Sequence, residues 1–511
     1  MSQTLRLPDF RFPVTDAGYV LSDLLTPTVR LGVTGLSRSG KTVFVTGLVQ
    51  ALLERNAVPE FAALTGIPGL KVYLEPQPDD DVPRFAYEDH LAALNGAEPH
   101  WPESTRRISQ LRLTCEWPAQ DYARRALGLP HRLHIDIIDY PGEWLIDLAL
   151  LDQSFAEWSA DALHYAQTSA DPTIARAFLE FQTAHPATEP ADEAVAIDGA
   201  RLFKAYLAQS REVEPSRAIL GPGRFLLPGD LEGSPLITFF PLDVEKDKTA
   251  RSGSLHALLE RRYESYKTHV VEPFFKKHFS RLDRQIVLID VLTALNGGAK
   301  GLSDLEHGLE GVLKAFRPGA NSWLSLLLPR RIDRIAFAAT KADHIHLTSH
   351  GRLEAILEKA VSRATDRSQI AGAETQTFAL AALRATENVD KVSDGVTYHC
   401  VRGRPASGEK VDGRTFNGTH AAVVFPGDLP DDPLQAFDPD VARVGQYAFT
   451  RFAPPNRTAA AQVEHDGTSK PKPWGATLGA PAPGVDVGSR QDWPHIGLDR
   501  IFAFLFGDHL P

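Results

Sequence analysis

Four short segments of this chain hold residue types whose spacing suits the handling of a nucleoside phosphate. The first, Gly35–Thr42 (GLSRSGKT), fits the pattern G-x-x-x-x-G-K-[ST]. Its glycines let backbone amides turn inward around phosphate oxygens, and a helix starting there adds partial positive charge. Ser37, Arg38, Ser39, Gly40, Lys41, Thr42 and Val43 are therefore the expected cradle. Lys41 would reach the β- and γ-phosphates, and the Thr42 hydroxyl would be a magnesium ligand. The second segment, Asp139-Tyr140-Pro141-Gly142, gives D-x-x-G. There Asp139 would hold magnesium through a water, and the Gly142 amide would meet the γ-phosphate. The third, Thr340-Lys341-Ala342-Asp343, gives T-K-x-D. Asp343 can accept hydrogen bonds from the N1 and N2 donors of guanine, a pair adenine lacks, while the stem of Lys341 packs along the base. The fourth, Ala381-Ala382-Leu383, takes the place of an S-A-K/L loop. Ala381 replaces serine, so the contact to guanine O6 rests on the Ala382 backbone.

Singly, the second and third of these patterns read as ordinary turns. Their order gives them weight, because each of the four follows a hydrophobic run that reads as a strand. Thr28–Thr34 precedes the phosphate loop, Leu133–Asp139 precedes D-x-x-G, Arg334–Thr340 ends in T-K-x-D, and Thr377–Ala382 carries the alanine loop. Ile108–Trp117 and Gln285–Val291 read as two further strands. Helical spacing runs to about Glu54, again over Leu302–Phe316, and over Arg352–Ala364. Strands alternating with helices imply a mostly parallel sheet covered on both faces, the arrangement of a Ras-like P-loop NTPase.

The segmentation expected from these patterns is residues 1–55 (start of the core with the phosphate loop), 56–104 (an insertion around a first switch region), 105–144 (second and third core strands), 145–280 (a mainly helical insertion), 281–390 (the rest of the core, with the guanine motifs), 391–453 (a β-rich extension), 454–492 (a low-complexity loop) and 493–511 (a C-terminal amphipathic helix that closes the sheet).

Composition narrows the partners. With 511 residues, 43% hydrophobic and 23% charged, the chain suits two or three globular units. A net charge of -11 argues against nucleic acid as the main partner. Cys115 and Cys400 lie far apart and read as small buried residues. No secretory signal is expected in MSQTLRLPDFRFPV, and no stretch reaches the roughly 18 apolar residues of a membrane helix. The expectation is a cytoplasmic protein without a transmembrane segment, with surface attachment to the inner membrane left open. His344, His346 and His350 read as a solvated loop, since no cysteine or acid stands at ligand spacing beside them. Asp136 reads as a structural acid.

The chain resembles the YcjX family of bacterial stress-associated P-loop GTPases in GLSRSGKT, IDYPGEW, ALNGG, TKADH and PHIGLDRIFAFLFGD. The resemblance implies a Ras-like core with extra helical and β segments, GTP or GDP with Mg2+ as ligands, and a stress role. Arg38 is also placed like the arginine in the phosphate loop of guanylate-binding proteins, GLYRTGKS, where it acts as an internal arginine finger; the plainer reading is a solvent-facing arginine. Glu143 stands where Ras-like proteins carry the glutamine that orients the attacking water. A carboxylate is an acceptor only, so intrinsic hydrolysis is expected to be slow. Thr105 is the expected first-switch threonine completing the magnesium shell, with Ser104 and Thr114 as rivals. Three readings compete: a slow GTPase acting as a regulatory or assembly switch with an unidentified protein effector or as a homodimer, a guanine-nucleotide-dependent scaffold that barely hydrolyses, and an ATP-using enzyme in which TKAD is accidental.

Overall fold

The computed structural model describes residues 26–35, 39–54, 61, 64, 66–103, 107–120, 122–126, 129–169, 171–213, 221–245, 249–315, 332–366, 373–456 and 493–511. For residues 123, 143, 211, 212, 230, 311, 314, 315 and 363–366 it describes the backbone alone.

The centre is a seven-stranded sheet in the order β2-β3-β4-β1-β5-β6-β7. Its strands are β1 (Thr28–Gly35), β2 (Lys71–Glu75), β3 (Ser109–Trp117), β4 (His131–Asp139), β5 (Arg284–Ile289), β6 (Arg334–Ala339) and β7 (Glu374–Ala379). β4, β1, β5, β6 and β7 run parallel, while β3 is antiparallel to β4 and β2 to β3. Parallel strands need both faces covered, which is why β5 is buried at all six positions. Alternation divides its side chains: Val287 and Ile289 enter one core, Ile286 and Leu288 the other.

The first core joins the sheet to α9 (Gly298–Ala315) and α10 (His350–Asp366) and to the helices between β4 and β5. The second contains α1 (Lys41–Leu53) and α11 (Leu498–Phe506), so the C-terminal helix does close the sheet, burying Leu498, Ile501, Phe502, Leu505 and Phe506. Asp136 is confirmed as structural: it is fully buried and grips Arg112 through two hydrogen bonds of 2.6 and 2.8 Å. Cys115 and Cys400 are buried and not joined in a disulfide.

Between β4 and β5 lie α3 (Glu143–Asp147), α4 (Phe155–Gln167), α5 (Pro172–Ala184), α6 (Glu193–Val213), α7 (Leu255–Tyr266) and α8 (Glu272–Lys277). Ser154 and Glu157 form a capping box at the start of α4. The segment is held by aromatic packing, with Trp158 stacked on Tyr263 at 5.1 Å and edge-on to Phe239 at 5.4 Å.

Three stretches depart from the sequence reading. Residues 56–104 contain edge strand β2 and α2 (Tyr87–Asn95); the half-exposed KVYLE offers too little apolar contrast to read as a strand. β7 ends at Ala379: Leu380 N–H still donates to Ala339 O, but Leu380 O accepts the Ala342 N–H and Ala381 bonds Ile496 instead of β6. After it comes β8 (Thr386–Ser393), polar along most of its length, paired to β9 (Val396–Gly403) through an Asp394-Gly395 turn with both φ values positive, 53° and 77°. The short strands β10 (Lys410–Val411), β11 (Arg414–Thr415) and β12 (Ala422–Val424) complete this extension. The expected low-complexity loop lies almost wholly outside the described residues. No helix among the described residues is long and apolar enough to cross a membrane.

Candidate nucleotide-binding site

All four motifs fall at the carboxyl ends of parallel strands β1, β4, β6 and β7, the rim where open α/β sheets bind ligands. α1 begins on Gly40, whose φ of 87° suits a residue without a side chain; no side chain caps this end and no acid occupies the first turn. Its leading N–H groups are thus kept for an anion. Lys41 is buried, and its Nζ donates to Gly35 O at 2.6 Å. Gly142 passes so close to this loop that a Cβ added there would stand 2.5 Å from Gly35 O. Any side chain at Gly142 would push D-x-x-G away from the phosphate loop. Ser39 Oγ is buried with no hydrogen-bond partner among the described residues.

The base side is built from longer connections. Lys341 adopts a left-handed φ of 62°, and its Nζ forms an ion pair with Asp290 at the end of β5. Asp343 is buried; one carboxylate oxygen accepts the Ala385 N–H at 2.8 Å, and its carbonyl accepts the Thr386 hydroxyl. Ala342 N–H donates to Leu380 O at 3.0 Å. Ala381 exchanges backbone hydrogen bonds with Ile496, and Trp493 Nε1 donates to Ala382 O at 2.8 Å.

A cavity of about 380 Å³ joins these parts, lined by Ser39, Gly40, Lys41, Thr42 and Val43, by Thr340, Lys341 and Asp343, and by Ala381, Ala382 and Leu383. The sequence reading missed its cover: Trp101, Pro102 and Glu103 from before β3, and Ala406, Ser407, Arg451 and Phe452 from the extension. Trp101 Nε1 donates to Phe452 O at 2.7 Å, joining the two. Thr42 Oγ1 donates to Glu103 O at 3.3 Å, so the chain two residues before Thr105 already touches the phosphate loop. Asp139 is buried at the end of β4, level with Val33 of β1, and with Gly142 lies outside the cavity lining. A larger cavity of about 710 Å³ opens near the opposite strand ends, but its four arginines are already engaged, Arg30 and Arg112 by Asp136, Arg281 by Asp79, and Arg284 by Asp333 and Asp508.

Ser37, Arg38, Ser104 and Thr105 lie outside the described residues, as does the side chain of Glu143. Thr114 is ruled out as a switch threonine: it is buried mid-sheet, donating to Glu75 Oε2 at 2.8 Å beside His134. The three histidines are not a solvated loop either. His344 and His346 are buried, His350 is partly buried and contacts Ala342 O at 3.0 Å through Nε2, and burial holds all three below the ordinary histidine range.

α3, which follows D-x-x-G, is tied to the helical insertion. Asp147 accepts the Gly223 N–H and the Tyr266 hydroxyl, each at 2.6 Å, and Arg224 lies 3.3 Å from the centre of the Trp144 ring. Burial pushes the Asp147 carboxyl up to about 6, against the pull of these donors and of Arg224.

The model of the YcjX-like family, DUF463, matches residues 29–472. The chain belongs to the YcjX-like family. Two relatives carry the name Ras-like GTPase YcjX. The protein from Shewanella oneidensis is 32% identical over 502 residues, covering 94% of each chain. That from Escherichia coli K12 is 34% identical over 492 residues, covering 94% of this chain and 96% of its own. The family's fold here is a Ras-like P-loop α/β fold, with β2 as an added edge strand.

Proposed function

We propose that this chain binds GTP and GDP with Mg2+ and hydrolyses GTP slowly. The carrying observation is one cavity in which the phosphate loop, Asp343 and the Ala381–Leu383 loop meet. The name of the two relatives supports the same reading. Adenine would bring to Asp343 no matching donor pair, so a buried carboxylate there argues for guanine.

The donor set fits a nucleotide with its metal: an uncapped helix start, a buried lysine and a hard-oxygen pair, Thr42 and Asp139. Thr42 and Asp139 would hold Mg2+, with Thr105 added in the GTP state, and the ion would offset phosphate charge. Lys41 binds the β- and γ-phosphates, and the Gly142 amide meets the γ-phosphate. Lys341 supports the base, with its ammonium fixed by Asp290. Because the Ala381 amide is bonded to Ile496, the Ala382 amide is the one left to meet guanine O6. Glu143 either positions water through one oxygen, with a low intrinsic rate, or is structural; a Glu143→Gln variant that hydrolyses no differently removes it from the mechanism. Arg38 acts as the internal arginine finger; if Arg38→Ala leaves turnover unchanged in every assembly state, that role is lost. A stress-related regulatory or assembly switch in the cytoplasm, working through a protein effector or a homodimer, is the role implied by the family resemblance.

A second reading is favoured by the tie from α3 to the insertion: a scaffold whose helical face responds to nucleotide with little hydrolysis. Single-turnover rates separate the two. The primary test is equilibrium binding of GDP and ADP, with Mg2+, to the wild type and to Asp343→Ala. Tight GDP binding that collapses in the variant is expected; equal binding of ADP, or indifference to Asp343, defeats the guanine reading.

A further inference from the structure

Behind the base side of the cavity, three ligand-type side chains from distant parts of the sequence converge. His346 follows the T-K-x-D turn, Asp390 lies on β8 and His399 on β9. One ring nitrogen of each histidine and one Asp390 oxygen all lie within 4.8 Å of one another. Asp390 Oδ1 sits 2.8 Å from His399 Nδ1 and 3.6 Å from His346 Nε2. The two rings are stacked, at 21° with centroids 4.8 Å apart. His346 Nδ1 accepts the Thr348 N–H at 3.4 Å and lies 3.0 Å from the Thr348 hydroxyl, so an ion at Nε2 would take the place of a proton there and leave Nδ1–H to donate to that hydroxyl. A second hydrogen bond from the outer ring nitrogen is what metal-ligating histidines commonly make.

We propose that His346, Asp390 and His399 form a zinc site, separate from the nucleotide cavity, that fastens the β8–β9 hairpin to the loop following Asp343. Two imidazoles and one carboxylate suit Zn2+ rather than Mg2+ or Ca2+, which prefer oxygen sets. Zinc bonds of about 2.0–2.2 Å require the donors to close to a little over 3 Å, and the stacked rings must turn to bring both in-plane lone pairs onto one ion, for which half-exposed His399 and exposed Asp390 have room. That exposure leaves the fourth position to water. His346 is buried and Asp390 is exposed, so the ion would bridge core to surface, adding a cross-link between segments already joined where Ala385 and Thr386 bond Asp343. One such bond already exists beside it, Leu347 N–H to Asn388 Oδ1 at 3.0 Å, which keeps the hairpin in register with the loop. The site does not rest on the nucleotide reading.

The experiment uses the untagged full chain, with Zn2+ partitioned against a chromophoric chelator in excess Mg2+. Wild type is expected to retain one equivalent of Zn2+, and His399→Ala and Asp390→Asn, both at accessible positions, are expected to lose it. Co2+ bound in place of Zn2+ should give the visible bands of a four-coordinate ion in the wild type and not in either variant. Failure of the wild type to retain an equivalent, or retention of the same equivalent by both variants, overturns the proposal.

Discussion

The two halves of the nucleotide cavity are made in opposite ways. The phosphate half is local: its residues follow one another from the end of β1 to the start of α1, with the backbone of Gly142 packed close against Gly35. The base half is a mosaic of β6, β7, the extension and the last twenty residues, where Trp493 and Ile496 clamp Ala382 and Ala381. A local cradle can be damaged without unfolding anything. A mosaic cannot, because the same side chains that shape the pocket hold distant segments together.

The largest expected effect therefore lies on the base half. Trp493→Ala removes a fully buried indole packed with Leu94 and Leu383, and should cost about 3–5 kcal/mol of folding stability, read from denaturant midpoints. If its midpoint matches wild type, the C-terminal clamp is not structural and the contrast collapses. On the phosphate half, Lys41→Ala should leave the thermal midpoint of the nucleotide-free protein nearly unchanged. It should weaken GDP binding by on the order of 100-fold, about 3 kcal/mol, through loss of a charged hydrogen-bond donor. Scanning calorimetry checks the first part and calorimetric titration with GDP the second.

Asp147 sharpens the comparison, since it ties the D-x-x-G side of the phosphate half to the insertion. Its folded pKa, about 6, stands above the ordinary carboxyl value of 3.8. The folded state therefore holds this proton more tightly than the unfolded one. Its contribution to stability is fully present below about pH 4 and is lost as the pH rises through about 6. Asp147→Asn cannot lose a proton, so the stability difference, variant minus wild type, should grow by about 2 kcal/mol between pH 4 and 7. A difference that stays flat would mean the carboxyl is not buried as described. The smallest effect is expected for Trp101→Phe, which strips one hydrogen bond from Phe452 O and should weaken GDP binding by about 1 kcal/mol while sparing phosphate contacts. An equal loss of affinity for inorganic pyrophosphate would show that Trp101 is not confined to the base half.

The same contrast explains what could be read in the chain beforehand. GLSRSGKT and its flanks announce a helix start on glycine, because the chemistry is carried by neighbouring residues. The strands of the sheet interior are readable since burial on both faces demands continuous apolar runs. β2 and β8 escape that rule: KVYLE is a half-exposed edge, and TENVDKVS is polar, held by pairing to β9 instead of by a core. The Asp394-Gly395 turn was the available signal for the hairpin. The histidines were misjudged for a related reason, since sequence spacing sees neighbours along the chain and not Asp390 and His399, which arrive from a later hairpin.

By itself the sequence determined the order of strands and motifs, and through that order the Ras-like sheet and the phosphate loop. Periodicity and short-range spacing encode elements whose energetics are local or uniform along a strand. The tertiary structure alone decided that Trp101 and Phe452 cover the base side, that Asp290 holds Lys341, that Asp147 locks α3 to the insertion, and that His346 meets Asp390 and His399. Each of those depends on bringing together residues separated by tens to hundreds of positions, and such contacts form only once two cores have fixed the sheet between them.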